Sequence, residues 1–331
     1  MPHTTNHILH TTKLVLIDGN AILHRAFHAL PKTFTDGKGN LTNAVYGFAS
    51  MVLRIIEDLK PTHIAICFDR KEPTFRKIEF EDYQAHRPET DKGLSSQFPL
   101  AREVAKGMSI PVYEKKGFEA DDLIGTLAVQ VTKIPKLKSQ KSNKLKIENS
   151  KLKIERVVIV TGDKDILQLV NDKKGVEVYM PIKGLSVAKI LNEKDVREKM
   201  GVSASQIIDY KGLVGDPSDN YKGVPGIGPK TAEKLLKTYG SFPEIYKNLK
   251  KIDEKVALKL KEHKKSAEMS YKLAKIVTNV KFKYSLDEMK AWDVGGIRAI
   301  KVFDKFNFRS VKVRAKNLSE KLKKEAQLEL L

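Results

Sequence analysis

The sequence predicts an α/β protein, a mostly parallel sheet covered by helices on both faces, followed by a helical region. Three observations carry that expectation. Short unbroken apolar runs recur through the first half, the signature of strands buried on both faces. Amphipathic stretches at helical spacing separate them. Beyond about residue 185 the strand signals thin out and helical periodicity dominates.

The elements follow in order. Residues 1–12 are polar and turn-rich and read as a loose tail; His3, His7 and His10 lie in it with nothing nearby to hold a metal between them. Lys13 to Ile17 form the first buried strand, which ends in the turn Asp18-Gly19-Asn20. Residues 42–58 carry Val45, Phe48, Ala49, Val52, Ile55 and Ile56 at helical spacing. Pro61 breaks that helix, and His63 to Phe68 form a second strand ending at Asp69. The segment Phe75 to Phe98 leaves from this strand's end. It is charged and interrupted by Pro88, the kind of segment often placed over a site. Leu100 to Met108 suggest a helix, Ile110 to Tyr113 a short strand, and Phe118 to Val131 another helix. Residues 133–155 hold eight lysines and the echo Lys144-Leu-Lys-Ile-Glu148, Lys151-Leu-Lys-Ile-Glu155, which reads as a solvated insertion. Arg156 to Val160 form a further strand, ending in Thr161-Gly-Asp-Lys-Asp165, and Gly175 to Tyr179 one more. Helices follow through Ile207 to Tyr210, Lys230 to Tyr239 and 252–277, with a Lys-rich helical tail from Ala315.

Composition bounds the function. The length of 331 residues suits about two compact domains. No apolar run reaches the roughly 18 residues of a membrane span, and the N-terminus lacks the basic and apolar regions of a secretory signal. The one cysteine, Cys67, cannot form an internal disulfide, which fits a reducing, cytoplasmic setting. A net charge of +20 points first to a polyanion such as nucleic acid.

In so basic a chain the placement of the acids is informative. Asp18 and Asp69 each end a buried strand, and Asp163 and Asp165 end a third. The carboxyl ends of parallel strands share one edge, so these acids converge although they lie far apart in sequence. Glu119, Asp121 and Asp122 open a helix, with Glu119 and Asp122 expected on one face and Asp121 about a quarter-turn away. Asp216 and Asp219 add two carboxylates in a turn. Taken singly, each acid suits a turn or a helix cap; that reading leaves the joint placement of all nine to coincidence. Gathered together they would repel one another and their pKa values would rise unless cations neutralised them. Oxygen ligands favour two Mg²⁺ or Mn²⁺ ions over zinc, and two such ions roughly 4 Å apart suit phosphodiester hydrolysis.

The run Gly223-Val-Pro-Gly226-Ile-Gly228-Pro-Lys230-Thr231 joins two helical stretches. Its glycines allow a tight turn, Pro229 suits the first helical position, and exposed amides with Lys230 and Lys234 nearby suit a phosphate of any sequence.

In this order the motifs resemble the 5′-nuclease domain of bacterial DNA polymerase I, within the wider flap-endonuclease family. The matching stretches are Leu16-Ile-Asp-Gly-Asn, Arg25-Ala-Phe-His-Ala-Leu, Thr42 to Phe48, Phe68-Asp, Phe75-Arg76, Gly117-Phe-Glu-Ala-Asp-Asp, Thr161 to Val170, and Gly215-Asp-Pro-Ser-Asp-Asn through the glycine hairpin. The resemblance implies a PIN-like core over residues 13–200 with an arch at about 75–98, a helix-three-turn-helix DNA-binding subdomain over 201–290, and a C-terminal return segment and basic tail over 291–331. It implies a nuclease that removes 5′ flaps, cuts at nicks or gaps and removes RNA primers, acting as a monomer on DNA and leaving a 5′-phosphate. Asp18, Asp69, Glu119, Asp121 and Asp122 match a first metal cluster, and Asp163, Asp165, Asp216 and Asp219 a second. Arg25, Tyr83 and Arg87 match positions beside the scissile phosphate. Arg76, Lys77, Gly223, Gly226, Gly228, Lys230, Thr231 and Lys234 match DNA contacts, and the hairpin carbonyls a K⁺ site. Two departures stand out: Gln84 replaces a usual lysine in the arch, and the insertion is longer than the usual link. No polymerase domain follows in the sequence, which suits either a stand-alone nuclease or a piece of a larger polymerase. An endoribonuclease and an inert DNA-binding module are the competing readings. The arch and hairpin oppose the first, and the full set of acids opposes the second.

Overall fold

The computed structural model describes residues 12–132, 154–183 and 187–328. The expected leader and the Lys-rich insertion lie outside these residues, apart from Thr12, Ile154 and Glu155. These three belong to the folded core rather than to loose segments. Ile154 is buried, and the Glu155 amide donates to the Thr12 carbonyl at 2.9 Å.

Six strands, β1 (Lys13–Asp18), β2 (His63–Cys67), β3 (Val112–Tyr113), β4 (Arg156–Val160), β5 (Val176–Lys183) and β6 (Val187–Leu191), form one sheet in the order β3-β2-β1-β4-β5-β6. All neighbours are parallel except β5 and β6. The core helices are α1 (Gly19–Ala29), α2 (Asn43–Leu59), α3 (Phe75–Glu79), α4 (Lys92–Ser95), α5 (Phe98–Gly107), α6 (Ala120–Thr132) and α7 (Glu193–Met200). The helical region contains α8 (Ile207–Val214), α9 (Pro229–Tyr239), α10 (Phe242–Lys247), α11 (Glu254–Glu262) and α12 (Lys264–Ala274). The chain closes with α13 (Leu286–Lys290), α14 (Ile297–Lys305) and α15 (Arg309–Leu328).

The strands alternate their side chains between two cores. Leu14, Leu16, Ala65, Cys67, Val157 and Ile159 pack with α6 on one face. Val15, Ile17, Ile64, Ile66, Val158 and Val160 pack with α1, α2 and α5 on the other. Both faces being covered explains why these strands are continuous apolar runs. The first core continues into the helical region through Ile207, Leu213, Leu236 and Leu260.

Register then aligns the strand ends. Asp18 pairs with Cys67 and Ile17 with Val160, so the residues after β1, β2 and β4 emerge along one edge. Helix α1, absent from the reading of the sequence, starts directly after β1 with Asp18 as its cap. Gly19 permits this sharp entry because a Cβ there would meet the Phe68 ring at 2.5 Å. The edge strand β6 was also absent from the reading of the sequence: four of its five residues are apolar, but at the sheet edge they run exposed, half-buried, exposed, half-buried, buried and pair antiparallel to β5.

The C-terminal segment is an integral layer. Val294, Phe303, Phe306, Phe308, Val311 and Ala315 join the second core, and α15 begins at Arg309 rather than near Ala315. Phe303 is fully buried there. Phe303→Ala should lower stability by about 3–5 kcal/mol in urea unfolding. A loss below about 1 kcal/mol would mean that the segment packs only loosely.

Candidate active site

At the shared strand edge a cavity of about 670 Å³ is lined by Asp18, Asp69, Glu119, Asp121, Asp163, Asp165 and Asp219, with Tyr83, Gln84 and Arg87 across from them. Each carboxylate is fixed by its own local structure. Asp18 Oδ1 accepts the Ala21 amide at 2.9 Å and Oδ2 the Thr161 hydroxyl at 2.8 Å, so cap and site residue are the same side chain. Asp69 accepts the Asn20 amide at 2.8 Å and the Ala120 backbone N–H at 2.6 Å, which ties β2 to the starts of α1 and α6. Asp163 accepts the Asp165 backbone N–H at 2.8 Å. Glu119 accepts from the Thr74 hydroxyl at 3.1 Å.

Asp122 and Arg76 depart from expectation. Glu119 precedes α6, so the helical-face argument does not reach it, and it is Asp121 that turns into the cavity with it. Asp122 is fully buried and accepts both guanidinium nitrogens of Arg76 at 2.8 Å, the Glu119 amide at 3.1 Å and the Val277 amide at 2.8 Å. Its lone pairs are used, which removes it from the open metal ligands. Arg76 is equally buried and also donates to the Leu273 and Lys275 carbonyls. At the cavity wall its guanidinium is taken up by Asp122 and by Glu119, 3.2 Å away, so it clamps α3, α6 and the end of α12 together.

Asp165, Asp216 and Asp219 form a second group, each with an oxygen within 4.8 Å of the others. Asp216 sits behind the cavity lining, in the turn after α8. Its amide and carbonyl pair with Tyr221 at 2.7 and 3.1 Å. That turn needs Gly215 and Gly223, both at positive φ, where a Cβ on either would meet the other's backbone nitrogen at 2.7 and 2.4 Å. Gly223 is therefore buried, its amide given to Ser270, and it offers nothing to DNA. Lys211 on α8 bridges Asp165 and Asp216, a partner the sequence analysis did not single out. No surface pattern marks it; only its place five residues before Asp216 hints at the contact.

Arg87 stands at the mouth, its side chain about half exposed, and donates to Asp219 at 2.6 Å. Gln84 occupies a left-handed backbone position and donates to the same carboxylate at 3.2 Å, so it holds Asp219 where a lysine would add charge. The buried Tyr83 hydroxyl lies 3.4 Å from both Glu119 and Asp219. Lys77 is tied to the Glu81 and Tyr83 carbonyls of the arch. Arg25 is not part of the lining: on α1 it is Asn20, Ala21 and His24 that face the cavity, and Arg25 lies one residue further round. At the glycine hairpin, Gly226 has positive φ, Gly228 caps α9, Lys230 and Lys234 are exposed, and Thr231 is half-buried.

The electrostatics reflect crowding. Burial pushes Asp18 and Glu119 up to about 7, helped for Asp18 by Asp69 and Asp163, and pushes Asp165 up to about 6. Burial also raises Asp69, and raises Asp121 well above the usual carboxylate range, with Asp163 and Asp18 adding to the rise. Asp216 falls, because Lys211 and Ser218 together outweigh its burial. Raised carboxylates hold protons in the folded state that the unfolded chain releases near pH 4. Their contribution to stability therefore declines as pH rises from about 4 to about 7 and is flat above. Bound divalent cations would remove the repulsion only where the acids are ionised. The gain in Tm on adding Mn²⁺ should accordingly be larger at pH 8 than at pH 5. A gain independent of pH would contradict this origin.

The described residues contain no helix long and apolar enough to cross a membrane. A family model for the 5′-3′ exonuclease N-terminal resolvase-like domain matches residues 13–201, and one for the 5′-3′ exonuclease C-terminal SAM fold matches 202–295. The chain is 38% identical over 308 residues to DNA polymerase I of Caldicellulosiruptor bescii, covering 93% of this chain and 34% of that protein. It is 37% identical over 318 residues to DNA polymerase I of Bacillus subtilis, covering 96% and 34%. It thus spans about a third of the length of these curated relatives. In structure it is similar to the bacteriophage T5 flap endonuclease in a complex with DNA and metal ions, with TM-score 0.61 and 18% identity over 94% of this chain and 99% of that one. The fold, the order of its motifs and both family matches agree: the chain belongs to the 5′-3′ exonuclease family, whose members are metal-dependent nucleases.

Proposed function

We propose that this chain is a structure-specific 5′-3′ exonuclease and flap endonuclease. Its substrates are 5′ flaps, nicked or gapped duplex and RNA primers, in DNA replication and repair. The observation that carries this reading is the convergence of Asp18, Asp69, Glu119, Asp121, Asp163, Asp165 and Asp219 in one open cavity of a chain with net charge +20, with Asp18, Asp69, Glu119, Asp121 and Asp165 raised in pKa chiefly by burial. A site of that kind is built for cations, and an all-oxygen donor set suits Mg²⁺ or Mn²⁺. Asp18, Asp69, Asp121 and Asp163, with Glu119 beside them, would hold one ion; Asp165, Asp216 and Asp219 would hold the other. When bound, such a pair lowers the pKa of water and offsets the charge that develops on a phosphodiester.

The chain's own residues supply position. Arg87, at the mouth, is placed to meet the phosphate's negative charge, and Lys77 supports the arch beside it. Tyr83 and Gln84 hold Glu119 and Asp219 in place. Gly226, Gly228, Lys230, Thr231 and Lys234 suit a backbone grip that ignores base identity, with K⁺ at the hairpin carbonyls. The enzyme is taken to act as a cytoplasmic monomer, alongside a DNA polymerase that extends the neighbouring strand.

Asp69→Ala should reduce cleavage of a 5′-labelled flap by roughly two orders of magnitude or more, while gel-shift binding of the same flap persists. Wild-type cutting by this variant would defeat the assignment of Asp69. Equal wild-type cutting of single-stranded RNA would favour an endoribonuclease instead.

A further inference from the structure

The two groups of carboxylates differ in what faces them. Asp18 and Asp69 are held by neutral donors, namely backbone amides, the Thr161 hydroxyl and the Asn20 amide, and the cation beside that group, Arg76, reaches only Glu119 of its cavity-lining acids, at 3.2 Å. The second group already has internal cations. Arg87 donates to Asp219, and the Lys211 ammonium bonds Asp165 Oδ1 and Asp216 Oδ2 together. Lys211 is no surface lysine finding a chance partner; its side chain is 8% exposed, at the end of a buried stem on α8. Tyr221, whose backbone pairs with that of Asp216, is 3% exposed, and its hydroxyl has no hydrogen-bond partner among the described residues. The turn that carries Asp216 thus holds one buried polar group unsatisfied, a sign that a further ligand belongs near it.

A divalent ion touching both Asp165 and Asp216 needs the lone pairs that Lys211 now uses. Mg²⁺ sits about 2.0–2.1 Å from its oxygens, whereas an ammonium sits about 2.8 Å from them, so the two cannot share the position. The lysine stem is flexible enough to withdraw. Resting on the two-cation reading above, we propose that Lys211 is a tethered competitor for the second divalent cation. Its ammonium closes Asp165 against Asp216 in the absence of that cation and must leave before it binds. The second site therefore fills after the first, and the released ammonium becomes available to substrate phosphate. Lys211 is in this sense a positioning residue, acting through the two aspartates.

The test uses the full chain without DNA. Calorimetric titration of the wild type with Mn²⁺ should show two classes of site. In Lys211→Met and Lys211→Gln the weaker class should tighten by about tenfold or more while the tighter one is unchanged. In parallel, the ammonium resonance of Lys211 in the wild type, sharpened by its buried hydrogen bonds, should stay put through the first equivalent of Mg²⁺ and be lost or shifted in the second. This second measurement decides the matter if the variants fail to fold. Two equivalents bound with the resonance unmoved, or a second class no tighter in the variants, would overturn the proposal and leave the two-cation reading standing. Fewer than two equivalents in the wild type and variants alike would overturn both.

Discussion

Asp18, Asp69, Glu119, Asp121, Asp163, Asp165 and Asp219 open into one cavity at the carboxyl edge of the sheet, with Glu72 also in its lining, and like charges in so buried a setting repel each other. The strands that carry them have no freedom to move apart. β1 is buried on both faces and paired on both sides, and its register fixes Asp18 beside the ends of β2 and β4. The sheet thus imposes a repulsion that hydrogen bonds from Ala21, Thr161, Asn20 and Ala120 only partly offset. Burial first, and this repulsion second, raise the pKa values of Asp18, Asp69, Glu119 and Asp121. Everything else in the site can be understood as a response to this constraint.

The responses are of two kinds. Arg76 and Asp122 form a buried pair, and the same guanidinium also reaches Glu119 at 3.2 Å. Breaking a pair of that kind costs about 3–5 kcal/mol, because the remaining charge stays buried. The pair is therefore a joint between the arch base, α6 and the helical region. Lys211 and Arg87 provide a different, provisional neutralisation. They face carboxylates at the cavity and can be exchanged, one for a cation and the other toward a phosphate. The first group has no such internal partner for Asp18 or Asp121, which leaves an external cation as its natural complement.

Much of this was legible in the sequence because strand periodicity and strand-end acids obey simple geometry. Unbroken apolar runs followed by Asp18, Asp69 and Asp163 locate both the sheet and its working edge. The misses have physical causes. Helix α1 was hidden because Asp18-Gly19-Asn20 reads as a turn, and the close approach to Phe68 that Gly19 permits is a tertiary fact. Asp121 and Asp122 exchanged their expected places because Glu119 lies outside the helix, and because a buried arginine 46 residues away decides where Asp122 turns. Gly223 looked like a phosphate contact but serves the packing against Gly215. Lys211 carried no signal, since a single lysine in so lysine-rich a chain is inconspicuous until its burial is known.

The net charge of +20 now has a structure. Residues 133–155 contribute +6 of it, so the rest of the chain remains strongly basic even while it concentrates its acids at one edge. A basic body around an acidic cavity attracts nucleic acid and divalent cations to the same place. Anomalous diffraction from crystals of the whole chain grown with Mn²⁺ tests that account most directly. It predicts one peak among Asp18, Asp69, Asp121 and Asp163, and a weaker one among Asp165, Asp216 and Asp219. A cavity without a peak at saturating Mn²⁺ would contradict it.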